Sequence, residues 1–219
     1  MIFMNQAAIS ADIVASTSLT QEQRLFLDAK LRDLLRKLRA KFGVKKFFGR
    51  LIKGDYLECI LEEPQLALRA ALLIKTFVKA LDIKSSDSDF NDYGVRVAIG
   101  IGKITTLNRK RGFIDGEAIV FSGRTIQEWN SHVRSGLAFR SAVQDWNDGM
   151  SPLCILLDVV MARNTKTQCG ILWHRLLGKT EKEISTIVGK SQSTINQHTR
   201  AAGWAAIESA VDYFEGKIK

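Results

Sequence analysis

Residues 6–20 read QAAISADIVASTSLT, an apolar run that closes on an acid and then turns polar. The short apolar run ending near Asp12 predicts a buried strand over Gln6 to Val14. Ser16, Thr17, Ser18 and Thr20 then offer N-cap oxygens. A helix to about Phe42 is expected to follow, because Leu27, Leu31, Leu34, Leu38 and Phe42 recur at helical spacing. Its other face holds Arg24, Lys30, Arg32, Arg36, Lys37, Arg39 and Lys41, and Gly43 suits its C-cap.

Working outward from this strand–helix unit, Lys46 to Lys53 and Tyr56 to Glu62 read as two strands around a Gly54-Asp55 hairpin. Pro64 is expected to open a Leu- and Ala-rich helix to about Leu81. Ser85 to Asp92 reads as a polar, acidic loop, and Val95 to Ile104 alternates as a strand. Arg109-Lys110-Arg111 marks an exposed loop. Glu117 to Trp129 reads as a helix and Gly136 to Val143 as a further strand. The order is βαββαβ with more after it, the split βαβ, ferredoxin-like α/β pattern. Asp145 to Pro152 reads as a linker because Asn147, Asp148, Gly149, Ser151 and Pro152 crowd into it. Everything beyond reads helical. Two parts are therefore expected, residues 1–146 and residues 152–219.

Composition sets limits on partners. The net charge is +9, of which residues 151–219 contribute +3 and the rest +6. Such a balance fits partners that carry phosphate. Cys59, Cys154 and Cys169 lack CxxC spacing and sit among apolar neighbours, so buried free thiols in a reducing compartment are expected, with no disulfide frame and no zinc site. His132, His174 and His198 are scattered and suggest no metal ligation or catalytic triad. No basic stretch leads a signal-length apolar run, and the longest apolar run contains Asp158. A cytoplasmic location with no membrane span is the expectation.

In the second part, Thr180-Glu181-Lys182-Glu183 forms a capping box. A short helix with Ile184, Ile187 and Val188 inward is expected to end at Gly189. Ser191 then caps a second helix anchored by Ile195. Trp173, Trp204 and Tyr213 are expected in the core of this part. The run EISTIVGKSQSTINQH, residues 183–198, resembles the helix-turn-helix of bacterial regulators, including the LuxR type, although Ser185 stands where Ala is usual. Gln192, Ser193, Asn196, Gln197 and Arg200 would be exposed on the second helix. Amide, hydroxyl and guanidinium groups are the types that read base edges. Lys182 and Lys190 would lie near phosphates. The plainer alternative is a helical hairpin that makes protein contacts.

In the first part, four segments in order resemble class III nucleotidyl cyclases. They are Ala11-Asp12-Ile13-Val14 with Ser16-Thr17, Gly54-Asp55 in a hairpin, the strand Val95 to Gly102, and Gly116 to Val120 with Arg124. The combination with a helix-turn-helix resembles the SatD family. The cyclase resemblance implies that Asp12 and Asp55 hold Mg or Mn with a nucleotide, and two close carboxylates suit such a cation. It also implies that Ser16, Thr17 and Arg124 face phosphate. Leu51 stands where the family carries a base-reading Lys, and Val120 where it carries a transition-state Asn. Neither side chain can form those hydrogen bonds, so cyclisation is not expected, and no catalytic residue is assigned.

The combined expectation is a DNA-binding transcriptional regulator on double-stranded DNA. Its degenerate cyclase-like domain would serve dimerisation or ligand sensing in a homodimer. The alternative is a metal-dependent nucleotide-binding enzyme.

Overall fold

The computed structural model describes residues 5–83, 94–129 and 136–218. The loop expected at 85–92 and His132 lie outside the described residues. A five-stranded sheet is built from β1 (Gln6–Ile13), β2 (Phe47–Ile52), β3 (Tyr56–Leu61), β4 (Val95–Gly102) and β7 (Leu137–Ser141), in the order β2-β3-β1-β4-β7. The first four pair antiparallel in the split-βαβ order, and β7 adds parallel to β4. A two-stranded ribbon, β5 (Ile104–Asn108) and β6 (Phe113–Gly116), stands apart from that sheet.

Alternation along β1 sorts the two faces. Ala7, Ile9, Ala11 and Ile13 join one large core with α1 (Gln21–Phe42) and α2 (Ala67–Ala80). Ala8 faces the other side, where Ile60, Ile114 and Ala118 close a smaller cluster under α3 (Glu117–Glu128). Asp12 follows Ala8 and Ser10 on this second side by the period-two rule. α1 behaves as its sequence predicts: Thr20 and Gln23 form a reciprocal capping box, the five apolar positions are buried, and Gly43 ends it. The second helix opens with a 3-10 turn at Pro64–Leu66 before the α-helix proper. The strand expected to reach Ile104 stops at Gly102, and the exposed Arg109–Arg111 segment is the turn of the β5–β6 ribbon.

Five helices follow the sheet: α4 (Gln144–Ala162), α5 (Lys166–Leu176), α6 (Glu181–Val188), α7 (Gln192–Ala201) and α8 (Trp204–Lys217). The linker expected at 145–152 is instead the first half of α4. Two of its polar residues, Asn147 and Ser151, bond to β7. The Asn147 side chain accepts from the Ser141 backbone N–H at 2.8 Å and donates to the Ser141 carbonyl at 2.9 Å, and Ser151 Oγ donates to the Phe139 carbonyl at 3.4 Å. Pro152 sits on the exposed side of the helix, where its missing N–H is tolerated more easily. Limited proteolysis is therefore expected to leave 145–152 uncut under native conditions, as read by mass spectrometry of the fragments. Early cleavage there would contradict a helix docked on β7.

The large core continues from the sheet into Leu172, Trp173, Trp204, Ile207 and Phe214. Trp173 and Trp204 are buried as expected, but Tyr213 is 47% exposed. Ile187 and Val188, expected inward, are exposed at 51% and 37%. Ile184 alone represents α6 in a small cluster with Ile171 and Ile195. The three thiols are buried, which pushes Cys154 up to about 12 and Cys169 to about 11, with Cys59 raised further. A buried ion pair joins the halves: Lys75 Nζ on α2 lies 3.0 Å from Asp158 Oδ1 on α4. No helix among the described residues is long and apolar enough to cross a membrane.

Candidate functional site

The β2–β3 hairpin turns through Lys53 and Gly54, both at positive φ, and this places Asp55 beside the end of β1. The Ile13 N–H donates to the Asp55 carbonyl at 3.1 Å. In the 3-10 turn that follows β1 (Ser16–Ser18), Ser16 Oγ donates to Asp55 Oδ2 at 2.8 Å. Ala15 enters that turn at φ 50, a left-handed conformation that costs energy for any residue with a Cβ. Arg24 braces the turn from α1, donating to the Thr17 carbonyl at 2.7 Å and the Leu19 carbonyl at 3.0 Å.

A cleft of about 320 Å³ opens between the α1 N-terminus and the hairpin tip, with Ser16, Thr17, Gln21, Arg24, Lys53 and Asp55 on its wall. Asp12, near the end of β1, is half-buried and does not line this cleft; it is Asp55 that reaches the wall. Burial pushes the Asp12 carboxyl up, the neighbouring Asp55 charge pushes it further, and Arg96, opposite it on β4, partly offsets both. The two acids predicted from sequence are therefore brought together. No group of three or more His, Cys, Asp and Glu side chains gathers among the described residues. A cation held between Asp12 and Asp55 would have two carboxylates, and its remaining ligands would have to be water, backbone oxygen or phosphate. That set suits Mg or Mn better than a softer metal.

The raised Asp12 carboxyl has a consequence for stability. A raised native pKa favours the protonated form, so its contribution holds at low pH and is lost as pH rises through the native value. Asp12→Asn is expected to raise the unfolding temperature at neutral pH without divalent cation. The gain should disappear below the carboxylate range, as calorimetry across pH would show.

The other residues implied by the cyclase resemblance are placed differently. Arg124 is exposed on α3 and does not line the cleft, and Val120 is exposed one turn before it. Leu51 packs against the large core. Neither the Ser16–Asp55 bond nor the Arg24 brace is legible in the sequence. A hydroxyl three residues beyond a strand and a lone Arg at a helix start look like caps.

A second candidate surface lies on α6 and α7. Gly189, at φ 69, ends α6, and Ser191 caps α7 through the Thr194 N–H at 3.2 Å. Ser185 Oγ donates to the Lys190 carbonyl at 2.6 Å, which ties down the turn and gives a reason for a hydroxyl there. Gln192, Ser193, Asn196, Gln197 and Arg200 are exposed, whereas Ile195 and Thr199 are buried on the opposite face. Lys182 and Lys190 are exposed beside them. Asn196 Nδ2 lies 3.2 Å from both carboxylate oxygens of Glu181, a contact between the two helices that the sequence reading missed.

No family model matches the chain, and no curated protein matches it. Two solved structures of a bacterial light-regulated adenylyl cyclase are similar over 62% of this chain. One has a TM-score of 0.41 and 14% identity over 74% of its own length. The other has 0.44 and 12% over 42% of its length. At these TM-scores and identities the likeness assigns this chain neither a role nor a superfamily.

Proposed function

We propose that the chain is a DNA-binding regulator in which α7 reads a duplex and the split-βαβ part serves dimerisation or ligand sensing. The observation that carries this is the single polar face of α7, with five side chains able to reach base edges and Ile195 and Thr199 holding the other side. Lys182 and Lys190 supply cations for the flanking phosphates. Glu181 engages the Asn196 amide N–H₂, so the group Asn196 would offer a base is its carbonyl oxygen, an acceptor for an exocyclic amine such as adenine N6 or cytosine N4.

Selection from a random duplex library followed by mobility shift tests the proposal. Arg200→Ala and Asn196→Ala should each cost about 1–3 kcal/mol on the selected site and little on random DNA. Lys190→Ala should weaken binding to every sequence alike and lower the salt slope by about 1. If no sequence is enriched and no substitution matters, the helix pair is a protein-contact element.

The neighbouring Asp12 and Asp55 carboxylates, with Asp55 on the wall of the cleft, favour a second reading, a metal-dependent nucleotide site. Mn with ATP or GTP should then raise the unfolding temperature of the natural protein by mass action, and not that of Asp12→Asn. Equal shifts in both proteins would remove this reading.

A further inference from the structure

The outer face of α4 is apolar and has no partner among the described residues. Met150, Cys154, Leu157, Asp158 and Met161 are buried against the body of the protein. Ile155, Leu156 and Val159, which project the other way, are 56%, 67% and 47% exposed. At 100° per residue, Asp148, Pro152, Ile155, Leu156, Val159 and Arg163 fall within one arc of about 100°. All six are exposed. The stripe is acidic at its N-terminal end, apolar in the middle and basic at its C-terminal end. Exposed apolar stripes of this kind mark contact surfaces.

We infer that this face is a homodimer interface in which α4 packs antiparallel against α4 of a second copy. The charge order selects the occupant. In a two-fold pairing centred between Ile155 and Leu156, each of these two meets the other across the axis, Val159 meets Pro152 of the second copy, and Asp148 meets Arg163 of the second copy. Each apolar contact is then flanked by an opposite-charge pair, and the symmetry generates both pairs at once, as an isologous interface requires. A helix that lies on a membrane surface carries Lys and Arg along the flanks of its apolar face. Here the N-terminal end of the stripe carries Asp145 and Asp148, which disfavours an anionic lipid surface. The pairing does not rest on DNA binding, although a two-fold dimer would present two copies of α7, as two half-sites need.

Sedimentation equilibrium of the full chain without DNA tests the inference, and its failure is separable from failure of the DNA reading. The chain is expected to be a dimer, and Leu156→Glu a folded monomer whose unfolding midpoint matches that of the natural chain diluted below its dimer dissociation constant. Asp148→Arg and Arg163→Asp should each weaken the dimer by about tenfold or more, because each places like charges opposite one another twice per dimer. The double exchange should restore affinity to near that of the natural protein. Alone, the helix dipole would make the double exchange the worst of the three, so recovery reports contact across the interface. A monomeric natural chain, a dimer indifferent to Leu156→Glu, or a double exchange no better than either single change would each overturn the inference. Monomers that bind anionic vesicles through this face would overturn it in favour of lipid.

Discussion

Asp158→Ala is expected to destabilise the protein by about 3–5 kcal/mol, because it leaves a buried ammonium without its counter-charge. Lys75 Nζ donates to the Val95 carbonyl at 3.1 Å and to the Gly136 carbonyl at 3.0 Å, and its third near neighbour is Asp158 Oδ1. Asp158 Oδ2 in turn accepts from the Gly136 N–H at 2.6 Å. Four elements meet at this pair: α2, the start of β4, the entry to β7, and α4. The carboxylate therefore neutralises Lys75 and also satisfies the backbone where β7 begins. Lys75→Met should cost a similar amount by stranding the carboxylate. Replacing both charges at once, as Lys75→Met with Asp158→Leu, should cost less than the sum of the two, because no unpaired charge remains. Part of the loss should persist, since the Gly136 N–H keeps no acceptor. Urea unfolding of the three variants gives the cycle. Single variants within about 0.5 kcal/mol of the natural protein would show that the pair is hydrated rather than buried.

That ion pair also shows where sequence stops being legible. Lys75 lies in ALLIKTFV and Asp158 in CILLDVVM, each a lone charge in an apolar run. The pattern signals a charge facing a core, but nothing in either run names the partner, which lies more than eighty residues away. Local signals suffice where the information is local. The Leu27–Phe42 period, the Thr20 cap and the Gly54-Asp55 turn specified α1 and the hairpin, and the hairpin carried Asp55 to Asp12. The signals misled where polarity answered to a neighbour instead of to water. Asn147 and Ser151 resemble linker residues, yet they bond to the backbone of β7. Ile187 and Val188 resemble core residues, yet a helix of eight residues buries only Ile184. The position of Arg124 outside the cleft has a similar origin. Helical spacing fixes which residues share a face of α3, but not which part of the sheet that face meets.

Gly100→Ala is expected to cost about 3 kcal/mol, at the upper end of what overpacking usually costs. The glycine is not needed for an unusual dihedral angle; it is needed because α3 lies directly on β4. A Cβ at position 100 would stand 2.2 Å from the Ala118 carbonyl oxygen and 2.6 Å from the Ser122 nitrogen. Both are backbone atoms, so no side-chain rotation relieves the contact and the helix itself must retreat. Retreat would stretch the buried Ser10–Ser122 hydroxyl bond, now 3.0 Å, and open the cluster of Ala8, Ile60, Ile114 and Ala118. Gly102→Ala should cost less, because its nearest obstacle is the Glu117 Cβ at 2.8 Å, at the first turn of the helix. Gly123→Ala meets nothing within 4 Å and lies inside α3, so it should stabilise by up to about 1 kcal/mol through helix propensity. Chemical denaturation of the three single variants should rank them in that order. Since Ser10 lies two residues before Asp12 on the same side of β1, Gly100→Ala should also weaken any stabilisation by Mn with nucleotide, whereas Gly123→Ala should leave it intact. A Gly100→Ala protein as stable as the natural one would mean that α3 does not rest on β4 at this point, and the placement of Ser122 against Ser10 would fall with it.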